Sequence, residues 1–338
     1  MSEDRFFKAA LALVVLFVAG VVLKLARPVL VPFVLAVFLS YIVDPALTFL
    51  ARRCRFPEPV ALLVVLALMF VSLYLLGVLA YSSGKAFVAE FPKYQGRLAD
   101  LAALLRKGLG PFRVDLSSVL ANLDVDRVGA FILRAIGPFV NLLGKLLLVF
   151  LFLVFILAGR GRAAAKLAKV LGEGPSGRVG SVMGAINGQI QKYLVIKTAT
   201  SLANGLIVWA VLTLFGVDFA ALFGLLAFFL NFIPNIGSAI AAAVLAAFSF
   251  FQLGTFWTPF WILVIVVALD TVLGNIVEPR VMGRGLGLSP LLVFFSLLFW
   301  GWLWGVPGMI LSVPLTALIR IVCQNVPSLR TIAVLMGP

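Results

Sequence analysis

Two apolar stretches, 219–252 and 288–322, are each too long for one membrane pass, and each is broken near its centre. At ~1.5 Å per residue a straight helix of either length would run about 50 Å, against a hydrocarbon layer of ~30 Å. The first break is Asn231-Phe232-Ile233-Pro234-Asn235-Ile236-Gly237 and the second is Trp304-Gly305-Val306-Pro307-Gly308. Proline removes a backbone donor and glycine releases the chain, so a helix has physical reason to stop at both. Irregular backbone at membrane depth survives only where protein or a water-filled cavity satisfies it. Interruptions at matching places in two halves of a sequence point to a transporter binding site.

Composition sets the solvent. The chain is 63% hydrophobic and 12% charged, with a mean hydropathy of +1.17. No soluble domain of this length hides so much apolar surface, so the expected class is an all-α polytopic membrane protein. The apolar runs are continuous rather than alternating, which excludes a transmembrane β-barrel. A net charge of +14 arises from basic residues flanking those runs. That placement suits lipid headgroups and topology, and no nucleic-acid partner is expected. Cys54 and Cys323 imply no disulfide framework. The first apolar run begins at Phe6 without a convincing cleavage site and reads as a retained span.

The predicted full spans are 6–25, 28–50, 59–83, 138–158, 198–216 and 257–278, about six, beside two re-entrant helical hairpins at 219–252 and 288–322. This divides the chain into a three-helix scaffold region at 1–83, an extracytoplasmic amphipathic helical loop at 84–137, and a fourth span with a basic cytoplasmic segment at 138–197. The transport region follows at 198–322, then a cytoplasmic tail at 323–338. The 84–137 loop scatters eight basic and five acidic residues among Leu, Ala and Val, with Pro92, Gly110 and Pro111 as breaks. Residues 159–197 carry Arg160, Arg162, Lys166, Lys169, Arg178, Lys192 and Lys197 against the single acid Glu173, so the positive-inside rule places them in the cytoplasm.

A hairpin at 219–252 that returns to its own side sends span 257–278 inward, and Arg280, Arg284, Arg320 and Arg330 then share the side of the 159–197 segment. Span 198–216 with the first hairpin, and span 257–278 with the second, consequently form inverted repeats. That architecture presents one site to two compartments in turn.

At the first tip, the half-helix beginning near Ile236 directs free N–H groups inward, and the preceding one directs carbonyls to the same place. Asn231, Pro234, Asn235, Gly237 and Ser238 make this tip a candidate site for a small polar solute. The alternative is that these groups only cap the half-helices. The second tip supplies Gly305, Pro307, Gly308 and Ser312, with Trp300, Trp302 and Trp304 as packing, anchoring or stacking groups. Asp270 lies inside an apolar run, where a carboxylate is costly unless paired or proton-carrying, and is the candidate for ion or proton coupling. Asn275 shares a face with Glu278, and Glu278 with Arg280 is expected as an interfacial ion pair that could serve coupling. Gln189, with Asn187, sits on a helix leading into span 198–216 and is a candidate vestibule residue. Lys145 and Asp44 are expected to snorkel to the interface.

Enzymatic chemistry finds no support. The chain has no histidine, so Ser-His triads, HExxH sites and histidine proton relays are absent, and no cofactor or metal site is expected. Gly174-Pro175-Ser176-Gly177 resembles an intramembrane protease motif, but no histidine exists to activate Ser176. There is no GxxxxGK[ST] sequence, so a gradient or the solute itself must supply energy.

Several segments resemble the autoinducer-2 exporter family of bacterial inner-membrane permeases. They are Asn187-Gly188-Gln189, Val217-Asp218-Phe219, Phe232-Ile233-Pro234-Asn235-Ile236-Gly237, Asn275-Ile276-Val277-Glu278-Pro279-Arg280-Val281-Met282-Gly283, Leu288-Ser289-Pro290-Leu291, and Gly305-Val306-Pro307-Gly308 through Val313-Pro314-Leu315. The resemblance implies eight membrane segments including the two hairpins, a homo-oligomer (a pentamer), and elevator-like movement of the hairpin region. It also implies that Asn231 to Ser238 and the surroundings of Pro307 line the site. Family members include exporters of a small sugar-derived signal and others that look like sodium–proton antiporters.

The expected function is therefore a secondary transporter of the bacterial inner membrane, with both termini cytoplasmic, exporting a small polar metabolite or signalling molecule. A sodium (cation)/proton antiporter, with Na+ or H+ as partner, is the alternative on the same fold. A non-transporting membrane scaffold, recruiting a partner through 84–137, is the alternative of another class.

Overall fold

A computed structural model of the chain describes residues 2–108, 147–159, 177–282, 286–325 and 329–337. Those residues are helical with short connections, and five helices are long and apolar enough to cross a membrane: Arg27–Arg52, Glu58–Phe87, Gly188–Leu214, Trp257–Met282 and Val306–Gln324. The chain is an all-α polytopic membrane protein. Large side chains such as Phe17 and Leu63 stand about two-thirds or more exposed, as a lipid-facing surface requires.

Two compact units divide the chain. One comprises Met1–Glu58, Lys145–Val195 and Arg284–Pro338; the other comprises Pro59–Gly144 and Ile196–Gly283. In the first unit, α1 (Ser2–Leu25) and α2 (Arg27–Arg52) meet at Ala26, where Pro28 in the first turn of α2 suits a position whose N–H needs no partner. The helix α4 (Leu147–Gly159) is a shorter apolar segment. The helix α3 runs from Glu58 to Gly108 and belongs to the second unit from Pro59 onward. The acidic Glu58 in its first turn complements the helix dipole.

The break expected at Pro92 does not occur, because α3 continues through it. A proline costs one backbone bond, and the flanking Ala, Leu, Lys and Arg residues are good helix formers that sustain the rest. The remainder of the 84–137 loop, most of the 159–176 segment with Ser176, and Lys145 lie outside the described residues.

The helix α5 (Gly177–Leu214) begins in the first unit and ends in the second. It stops at Gly216, whose φ of +67° favours glycine. Within the second unit, α5 and α6 (Ala220–Leu230) cross where glycine meets glycine. A Cβ on Gly205 would lie 2.8 Å from the Gly224 carbonyl oxygen, and one on Gly224 would lie 2.7 Å from that of Gly205. Small residues permitting backbone approach are the usual basis of helix packing in lipid. Phe87, Phe219, Phe223 and Phe248 pack together beside this crossing, with Leu212, Leu245 and Ile262 in the same core.

Both broken stretches are closed hairpins. In the first, α6 turns through Asn231–Asn235 into α7 (Ile236–Leu253), and Gly237 lies so close to the first arm that a Cβ would overlap the Leu230 carbonyl. Its base is clasped by buried Gln252: Nε2 donates to the Gly216 carbonyl at 3.0 Å, and Oε1 accepts from the Asp218 N–H at 2.8 Å. In the first unit, α10 (Pro290–Trp304) turns at Gly305 into α11 (Val306–Asn325). Between them, α8 (Trp257–Val272) and α9 (Glu278–Met282) flank a π turn, and α12 (Arg330–Leu335) follows the second hairpin. Ser289 caps α10 by accepting from the Leu292 N–H, with Pro290 behind it. A Cβ on Gly308 would overlap the Trp300 carbonyl. Ser296 Oγ donates to the Ser312 carbonyl at 2.9 Å and also bonds the Thr316 hydroxyl, tying the arms together. At the base, Arg320 donates to the Leu286 carbonyl at 2.7 Å.

The two hairpins follow one plan. Their base glycines, Gly216 and Gly287, both have a φ of +67°, and their close-approach glycines are Gly237 and Gly308. The members of each pair stand 71 residues apart.

Candidate functional site

Four polar residues mark one face of α5: Lys197, Thr200, Ser201 and Asn204, at the i, i+3, i+4, i+7 spacing of a single helical stripe. All four are buried, and each bonds a residue from another element of the same unit. At the Lys197 end, its ammonium donates to both oxygens of Glu278, at 3.0 and 3.3 Å, with the side chains 10% and 15% exposed. Thr200 stands 3.5 Å from the same carboxylate. One turn on, Ser201 accepts from Asn231 Nδ2 at 3.0 Å, joining the stripe to the first hairpin tip. Asn204 Nδ2 donates to Asp270 Oδ1 at 3.1 Å.

The position of Glu278 follows from its neighbour. Pro279 has no N–H, and in an α-helix its ring would meet the carbonyl of Asn275. The helix widens instead into the π turn Leu273–Val277, and the Glu278 N–H reaches back to Leu273. Such turns recur at functional positions of helices. The expected pairing of Glu278 with Arg280 is replaced by the bond to Lys197, and Arg280 is exposed. Lys197, read as part of a polar cytoplasmic segment, is 8% exposed inside a helix. Its signal was present in the sequence as the four-residue polar stripe, but its partner lies 81 residues away.

The first tip differs in one respect from expectation. Few of its N–H groups are free: Ile236 donates to Pro234, Gly237 to Ile233 and Ala239 to Asn235. The asparagines do not cap α7 through their side chains, since Asn235 takes a positive φ of 58° and Asn231 turns to Ser201. Pro234 and Ser238 are half-buried, Asn235 is exposed and Gly237 is buried. Asn275, expected beside Glu278, is exposed. Gln189 is also exposed, whereas Gln191 two residues on donates to Asp44 Oδ2 at 2.7 Å, so Asp44 is engaged in protein contacts.

Gly305, Pro307, Gly308 and Ser312 belong to the first unit. Gly305 adopts φ 70° and ψ −146°, a region open essentially to glycine alone. Ser312 is fully buried and donates to the Met309 carbonyl. Trp300 and Trp304 are buried, and Trp304 Nε1 donates to the Leu23 carbonyl at 3.2 Å. Trp302 is exposed, with the Lys24 ammonium 4.5 Å from its ring centre. These contacts make the three tryptophans packing and anchoring groups.

Comparison with known proteins matches residues 11–328 to the model of the AI-2E family transporters. The chain is 33% identical over 329 residues to the "AI-2 transport protein TqsA" of Escherichia coli (strain K12), covering 97% of this chain and 94% of that protein. It is 34% identical over 337 residues to a Haemophilus influenzae protein named "Putative transport protein", at 97% and 94% coverage. It is 26% identical over 334 residues to the Escherichia coli (strain K12) "Putative permease PerM", at 94% and 93% coverage. Paired clasped hairpins, a buried polar stripe meeting one of their tips, and a match running from end to end agree, and the chain belongs to the AI-2E family of membrane transporters.

Proposed function

We propose that this transporter is a secondary exporter of a small polar metabolite or autoinducer-2-like signalling molecule, working by elevator-type movement of its hairpins in the bacterial inner membrane. The observation that carries the reading is the shared plan of the two hairpins, with glycines in register 71 residues apart. A repeated, closed hairpin is a unit able to move without unravelling, because its base bonds and arm contacts are internal. Inverted orientation of the repeats, both termini in the cytoplasm and assembly as a homo-pentamer complete the proposal. The tips, from Asn231 to Ser238 and from Gly305 to Ser312, bind the solute. Gln189 lines the path to it.

The test is flux of labelled polar solutes, autoinducer-2 first, from proteoliposomes. Asn231→Leu should cut flux at least tenfold while the protein remains folded and assembled. Unchanged flux would remove the first tip from the site.

A second reading, cation/proton antiport, is favoured by Asp270 and by the buried Lys197–Glu278 pair, with Asn275 and Arg280 beside them in sequence. It requires sodium-dependent proton movement that Asp270→Asn abolishes. A solute exporter without ion coupling tolerates that change.

A further inference from the structure

Within the first unit, the second hairpin tip meets the α1–α2 junction at three points. Trp304 Nε1 donates to the Leu23 carbonyl at 3.2 Å. The exposed Lys24 ammonium stands 4.5 Å from the centre of the Trp302 ring. The exposed Arg27 guanidinium crosses the tip itself, with Nη2 3.1 Å from where a Cβ on Gly305 would lie. Trp302 and Gly305 are three residues apart at the end of α10, a spacing that makes neighbours about 5–6 Å apart on a helix. Two cations are thus gathered over one edge of the tip.

The chain supplies nothing to balance them. No acidic residue occurs between Asp4 and Asp44, and none from Pro279 to the end of the sequence, so neither α1, the first part of α2 nor the whole second hairpin carries a counter-charge. Among the described residues, neither Lys24 nor Arg27 meets a carboxylate. Like charges held side by side repel unless an anion lies between them. The surface leading up to the pair is apolar and exposed. Phe17 and Val21 precede Lys24 on α1 at helical spacing, and Phe295 and Phe299 precede Trp302 on α10 at the same spacing. The two helices touch, and both run toward the junction. A cationic end above an exposed apolar strip is the profile of a phospholipid, charged head and hydrocarbon tail.

We propose that Lys24 and Arg27 hold the headgroup phosphate of an anionic phospholipid against the second hairpin tip, with its acyl chains along the Phe17–Val21 and Phe295–Phe299 strip. The planar guanidinium of Arg27 suits two phosphate oxygens at once, and the ammonium of Lys24, kept in place by the Trp302 ring, supplies a second donor. The cations belong to the α1–α2 junction, whereas Trp302 and Gly305 belong to the hairpin. A phosphate lodged there closes the seam between them, so the lipid acts as a clip on the second tip. The inference is independent of which solute is carried.

The test is retention of phosphatidylglycerol by the full-length protein in mild detergent, read by native mass spectrometry, with phosphatidylcholine as the neutral comparison. Wild type should keep the first lipid and release the second. Lys24→Gln and Arg27→Gln should each weaken retention about fivefold, and together about thirtyfold. Lys24→Arg with Arg27→Lys preserves both charges and should retain the lipid, which separates loss of charge from loss of fold. Amide exchange over 305–309 should slow when phosphatidylglycerol is added to wild type and stay unchanged in the double Gln variant. Retention undiminished by the double Gln substitution overturns the site, and equal retention of phosphatidylcholine overturns the phosphate as its anchor. Protection of 305–309 by millimolar inorganic phosphate as complete as that by phosphatidylglycerol would assign the cations to a free anion and overturn the lipid. Solute flux enters none of these readings, so failure of the lipid site leaves the exporter reading standing.

Discussion

Lys197 and Glu278 hold each other in a setting where neither could stand alone. Removing one partner of a buried ion pair leaves an uncompensated charge, at a cost of about 3–5 kcal/mol. Glu278→Gln should therefore lower the melting temperature of the solubilised protein sharply, and Lys197→Met with Glu278→Gln should recover most of the loss. Additive melting shifts would show that the pair does not act as a unit. The glycines at the two close approaches make a second prediction. Gly237→Ala and Gly308→Ala place a methyl group on the carbonyls of Leu230 and Trp300, and each should destabilise by about 1–3 kcal/mol or more, read as lost thermal stability. Gly188→Ala meets open space and serves as the control. At this scale the sequence was partly legible. Pro234 and Pro307 marked the tips because proline acts locally, whereas the Lys197 partnership depends on a helix–helix contact that no local pattern encodes.

Among elements, the clasped base of the first hairpin has its own test. Gln252→Leu keeps the volume but removes the side-chain bonds to the Asp218 N–H and the Gly216 carbonyl. Each such bond contributes about 0.5–1.5 kcal/mol. Faster amide exchange over 216–218, with the tip unchanged, is the expected outcome, and unaltered exchange would show that the clasp carries no strain. The π turn offers another. Pro279→Ala restores an N–H and permits the ordinary helical register, turning Glu278 by about 100° relative to Asp270. Lys197 should then become reactive toward amine-modifying reagents. The spans near 28–50, 59–83, 198–216 and 257–278 were readable from apolar length, because lipid imposes a minimum on a crossing helix. The persistence of α3 through Pro92 was not, since one broken bond is a small loss within 51 helical residues.

For the whole molecule, family membership sets the activity class as membrane transport, and the solute and driving ion are matters for reconstitution. Efflux driven by a sodium gradient should fall to background in Asp270→Asn if Na+ is coupled, and should be indifferent to the gradient otherwise. The internal repeat was inferred from charge and break positions, because sequence similarity between its copies is faint. What the copies share is backbone: two left-handed base glycines and two tip glycines in one register.

The two hairpins use nearly equal lengths of chain differently. From the start of the first arm to the end of the tip, one runs from Ala220 to Asn235 and the other from Pro290 to Gly305, yet α6 has 11 residues and α10 has 15. The final turn that is helical in the second is a run of hydrogen-bonded turns in the first. Compliance is therefore lopsided: the first tip can change shape by rotating a few dihedrals, while the second must melt helix to do the same.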